Sequence, residues 1–70
     1  MRDPFEYEFT VDGELSERAL AAFPESRAEV DRQQIATKLT GELPDTAAAR
    51  GVIARLDQLG LTLLSFRRFP

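Results

Sequence analysis

The sequence predicts an α+β fold: a ferredoxin-like βαββαβ two-layer sandwich, with a four-stranded antiparallel sheet and two helices on one face. Three observations lead there. Phe5, Tyr7, Phe9 and Val11 alternate with Glu6, Glu8 and Thr10, the period of a half-buried strand. Ala49, Val52, Ile53, Leu56 and Leu59 recur at helical spacing behind Pro44-Asp45-Thr46. Gly60 then stops that helix, and Leu61 to Phe69 reads as a further strand.

The elements follow in order. The first strand covers Phe5 to Val11, and Asp12-Gly13 breaks it. Ser16 is placed to cap a short helix, with Glu17 in its first turn. Leu15, Ala19, Leu20 and Phe23 fall on one side of it, and Pro24 ends it. Ala28, Val30 and Arg32 mark one face of a weak second strand, and Asp31 to Gln34 a turn. Ile35, Thr37 and Leu39 alternate with Ala36, Lys38 and Thr40 as the third strand, and Gly41 to Pro44 reads as a loop.

Asp45 caps the long helix, and Leu61 is placed to touch Leu56 across its glycine ending. Gly51 inside that helix costs about 1 kcal/mol relative to alanine, and a close helix–sheet approach would account for it. Two right-handed crossovers give the strand order 4-1-3-2. A β–β–α–β arrangement with the first helix reduced to a turn is the competitor.

The chain has 70 residues, enough for one domain, 1–70. A chain this short buries only about 60% of its unfolded surface, so its core is marginal. With no Cys and no His, disulfides and the commonest metal ligands are missing, and oligomerisation is the remaining route to stability. The expectation is a homo-oligomer, a dimer, or a complex with another protein. A net charge of −3 disfavours nucleic acid. No apolar run reaches the roughly 20 residues of a membrane span, and nothing resembles a signal peptide, so a cytoplasmic protein is expected. Eight of nine basic residues are Arg, which with abundant Ala suggests a GC-rich bacterial genome.

Little in the sequence carries chemistry. Glu6 and Glu8 share a strand face about 7 Å apart. With Lys38 and Arg67 expected beside them, they read as a cross-strand charge ladder on a polar sheet face rather than an acid–base pair. Ser16, Ser26 and Ser65 have no histidine to activate them. Asp12-Gly13-Glu14 is a turn rather than a Ca²⁺ loop, and the four glycines are scattered, not clustered for phosphate. Tyr7 is a core residue before it is an acid. Arg67-Arg68 is a solvated pair before it is an anion grip. With acidic residues on the open face, the stacking platform of an RNA binder is absent. No cofactor, no metal and no enzymatic activity are expected.

From Leu56 through Gly60 to Arg68, and at Tyr7-Glu8-Phe9, the chain resembles a group of small uncharacterised actinobacterial-type proteins. These begin with a charged, alternating strand and end in a helix–Gly–strand motif. Thr62 stands where that motif carries Pro. The resemblance implies a stand-alone domain and transfers no functional residue.

Two functions are therefore expected in order. The first is a non-catalytic protein-interaction or self-association module, using one side of the last strand: Leu63, Ser65, Arg67 and Phe69. The second is a small-ligand-binding regulatory domain with a groove between subunits or under the second helix, and Arg67 or Arg68 as anion anchor.

Overall fold

Period-two alternation becomes the central strand of the molecule, β1 (Phe5–Asp12). A computed structural model describes residues 4–69 of the chain. After β1 come α1 (Glu17–Leu20), β2 (Arg27–Asp31), β3 (Ala36–Leu43), α2 (Thr46–Gln58) and β4 (Leu63–Phe69). The strands form one sheet of order β2-β3-β1-β4, every neighbouring pair antiparallel. Read from the β4 edge, this is the expected order 4-1-3-2.

The ferredoxin-like arrangement is not clearly present, because the first helix is a single turn. Ser16 caps α1 by accepting from the Ala19 amide at 3.1 Å. The turn ends before Phe23, which reaches the core from the following turn and is buried there. Pro24 has no N–H to continue a helix, so the apolar residues at 19, 20 and 23 cannot make a second turn. The helical layer is thus α2 with a turn beside it.

The Asp45 carboxylate accepts from the Ala48 amide at 2.9 Å and starts α2. At the other end the Leu61 amide donates to the Leu56 carbonyl at 2.9 Å and the Gly60 amide to that of Asp57 at 3.0 Å. That pair of hydrogen bonds closes the helix, with Gly60 at φ +73° as the geometry demands. Ala49, Val52 and Leu56 are buried; Leu59, expected in the stripe, is the C-cap residue and is exposed. A Cβ at Gly51 would meet nothing within 4 Å, so close helix–sheet approach does not explain that glycine.

Tyr7, Phe9, Val11, Phe23, Leu39, Leu43, Ala49, Val52 and Leu56 make up the core. The sheet face bearing the β1 aromatics is the helix face; Glu6, Glu8 and Thr10 point to the open face. The Tyr7 hydroxyl is buried with no hydrogen-bond partner among the described residues. Leaving a buried hydroxyl unpaired costs about 1–3 kcal/mol. Tyr7→Phe is therefore expected to raise stability, by about 1 kcal/mol, in urea titration. A comparable loss would mean that the hydroxyl has a partner in solution.

Several strand boundaries differ from the sequence reading. The last strand, expected from Leu61, begins at Leu63, because Leu61 is taken up by the helix ending. β3 does not stop before Gly41 but runs through it to Leu43. Gly41 lies opposite Tyr7, where the Glu25 carbonyl passes 2.9 Å from the place a Cβ would occupy. The glycine marks a close approach, not a loop. Ile35 is not in β3. It sits at the end of the β2–β3 turn with φ +52°, 65% exposed. That backbone costs a β-branched residue about 1–2 kcal/mol. The Asp31 carboxylate shapes this turn, accepting from the Gln33 amide at 3.0 Å and the Gln34 amide at 3.2 Å. The turn also takes Arg32 out of the second strand.

Two side chains hold connections in place. Buried Thr37 donates to the Gly13 carbonyl at 2.8 Å and accepts from the Leu15 amide at 3.2 Å, fixing the chain between β1 and α1. Arg55 of α2 donates to the Ala22 carbonyl at 2.7 Å and pairs with Glu25 at 3.1 Å. Its guanidinium also lies over the Phe23 ring at 5.4 Å.

Candidate functional site

β4 is an edge strand, and its sequence makes it unlike the other edge. β2 is five residues long and carries Arg27, Glu29 and Asp31, the short charged form that discourages pairing with another chain. β4 is seven residues long and carries Leu63, Leu64, Phe66 and Phe69 among its arginines. Among the described residues no strand lies against its free side, which presents backbone donors and acceptors.

An irregularity decides which way its side chains point. Phe9 faces Phe66 and Thr10 faces Ser65, but Val11 faces Leu63, so Leu64 is an extra residue in β4. A bulge of this kind shifts the alternation by one. Leu63 therefore joins Val11 on the helix face and packs against the core. Ser65, Arg67 and Phe69 lie on the open face, opposite Thr10, Glu8 and Glu6. The expected interface set Leu63, Ser65, Arg67 and Phe69 does not share a face: the bulge separates Leu63 from the other three.

The helix face of β4 is incompletely covered. Phe66 stacks on Phe9 at 5.0 Å and on Tyr7 at 5.4 Å between ring centroids, yet remains 42% exposed. Leu64 beside it is 52% exposed. Arg68 lies over the Phe5 ring at 3.4 Å. Between α2 and the start of β4 runs an open groove of about 350 Å³ lined by Arg50, Ile53, Ala54, Leu56, Asp57, Leu61 and Leu63. Its α2 wall is the stripe at 50, 53, 54 and 57, with Arg50 and Asp57 at its two ends. Neither Arg67 nor Arg68 lines it; the arginine at this groove is Arg50.

On the open face, Glu8 and Arg67 are directly opposite, as the charge ladder requires. Lys38 does not complete that row. Its neighbours in register are Thr10 on β1 and Glu29 on β2, while Glu8 faces Thr40. Glu6 instead reaches Arg27 at 3.8 Å, an exposed pair that contributes little. Arg67 also lies over the Phe69 ring at 5.2 Å. Among the described residues no group of three acidic side chains could hold a metal ion, and no helix is long and apolar enough to cross a membrane.

Sequence reading missed Phe66 and Leu64 as the exposed pair and Gly41 as a contact point. The apolar character of both residues was legible. The bulge that selects their face depends on pairing with β1 and leaves no local signal.

The model of a domain of unknown function, DUF8691, matches residues 6–67. No curated protein and no solved structure matches the chain.

Proposed function

The chain belongs to the DUF8691 family, whose description carries no activity, and from the geometry we propose that it is a non-catalytic protein-interaction and self-association module that docks through the free edge of β4. The observation that carries this reading is the pair Leu64 and Phe66. Both are large, apolar and exposed, and they sit side by side on an unpaired strand edge. Such an edge is a template for a further strand, with backbone hydrogen bonds for affinity and alternate side chains for selectivity. The lack of His and Cys supports a role without catalysis. The strand order and pairing support a ferredoxin-like lineage in which α1 is reduced to one turn.

Light scattering from micromolar to millimolar protein, with hydrogen exchange on β4, tests the module. The mass is expected to rise with concentration while β4 amides gain protection. Leu64→Lys is expected to weaken this association and to leave the unfolding free energy from urea titration within about 0.5 kcal/mol of the original. Constant monomeric mass with unprotected β4 amides would remove the reading.

A further inference from the structure

Resting on that reading, we infer that the partner at the β4 edge is a second copy of this chain, paired antiparallel about a two-fold axis through Phe66. The register follows by elimination. Opposed side chains on paired strands share a face, so shifts by an odd number would set open-face residues against helix-face residues. Centring on Arg67 sets it against the partner's Arg67, and centring on Arg68 does the same with Arg68; like charges directly opposite repel. Centring on Ser65 sets Arg67 against the partner's Leu63, which the bulge has turned to the other face, and leaves matched faces only from Leu64 to Phe66.

Centring on Phe66 opposes no like charges and keeps faces matched from Leu64 through Arg68. The mismatch of Leu63 with the partner's Phe69 then falls only at the ends of the paired stretch. Phe66 faces the partner's Phe66, and its exposed ring edge is covered. The stack already running from Phe9 to Phe66 at 5.0 Å continues across the axis into the partner's pair. On the open face, Arg67 is held between its own Glu8 and the partner's Ser65, and no two arginines are opposed. The sheet becomes one of eight strands, ending at both sides in the short charged β2, so assembly stops at two. The same surface on both copies is used, as a two-fold interface requires.

Ser65 tests this register, because its side chain is exposed and outside the core. It occurs opposite the partner's Arg67 twice per dimer. Ser65→Glu is expected to tighten the dimer and Ser65→Arg to loosen it. Two such pairs amount to roughly a two- to thirtyfold change in Kd in each direction at low salt. Sedimentation of both variants and the original chain reads this, with circular dichroism to confirm equal fold. Opposite shifts for the two charges support the pairing. A dimer indifferent to both, or shifted the same way by both, overturns the register and leaves self-association standing. A monomer at every concentration overturns the second-copy partner and the module together.

Discussion

Replacing Phe9 by alanine is expected to leave much of the population unfolded at 25 °C. Phe9 is 2% exposed, in the central strand, with β3 on one side and β4 on the other. Its ring stacks on Phe66 at 5.0 Å and lies 6.4 Å from that of Tyr7. Truncating a buried phenylalanine costs about 3–5 kcal/mol in lost transfer energy and cavity. A domain of this size has roughly 4–10 kcal/mol of stability in all. The cavity cannot collapse easily, because strands on both sides hold the backbone of β1 in place. Far-ultraviolet circular dichroism in a urea series measures the effect. Phe9→Leu is the companion, expected to fold cooperatively with a smaller loss. An alanine variant that loses under about 1 kcal/mol would mean that Phe9 is not at the centre of the core.

The second large effect is expected at Gly41, and its sign is informative. By strand propensity alone, Gly41→Val should stabilise β3, since β-branched residues are favoured and glycine is not. The geometry opposes this. A Cβ at Gly41 would stand 2.9 Å from the Glu25 carbonyl oxygen and 3.5 Å from the Ser26 Cα. Both are backbone atoms, in the segment that leads into β2, and they yield only if the segment moves. Overpacking of this kind costs about 1–3 kcal/mol, and the added γ carbons of valine make the upper end the expected one. Thr40→Val, one residue earlier and on the open face, serves as control and is expected to change stability by no more than about 0.5 kcal/mol. If both substitutions stabilise, the Glu25 carbonyl is not where the structure has it.

Gly41 also shows why part of the fold was unreadable from sequence. A glycine four residues before a helix cap reads locally as a turn. What selects it is a carbonyl about 16 residues earlier, brought there by β2–β3 pairing. Ile35 fails for the opposite reason. Its side chain favours a strand, and the turn shaped by Asp31 imposes φ +52° on it nonetheless. Arg55 ties α2 to Ala22 and Glu25 across a gap in sequence that no periodicity spans.

Local signals succeeded where the chemistry itself is local. The alternation of Phe5 to Val11, the Asp45 cap and the Gly60 ending were legible because each depends on neighbours within a few residues. The order of the strands was legible because crossover handedness leaves few choices. The candidate site was half legible. The last strand stood out as two-faced in its apolar residues, but the extra residue at Leu64 moved Leu63 to the core and left Phe66 in the open.

The position of β1 has a consequence for how the chain emerges during synthesis. β1 is made first, and its two neighbours are β3 and β4, the latter made last. Until β4 leaves the ribosome, the growing chain can assemble only β2, β3 and β1, and β1 is then itself an edge. Its Phe5, Tyr7 and Phe9 face, the most aromatic strip in the protein, is without the Phe66 that stacks on it. Pairing across most of the chain's length is slow to form, which lengthens the time the sheet stays unfinished. Polysomes carrying many copies close together would hold these open strips near one another. Glu6 and Glu8, which alternate with the aromatics and share one sign, are charges of the kind that oppose pairing between such exposed strips.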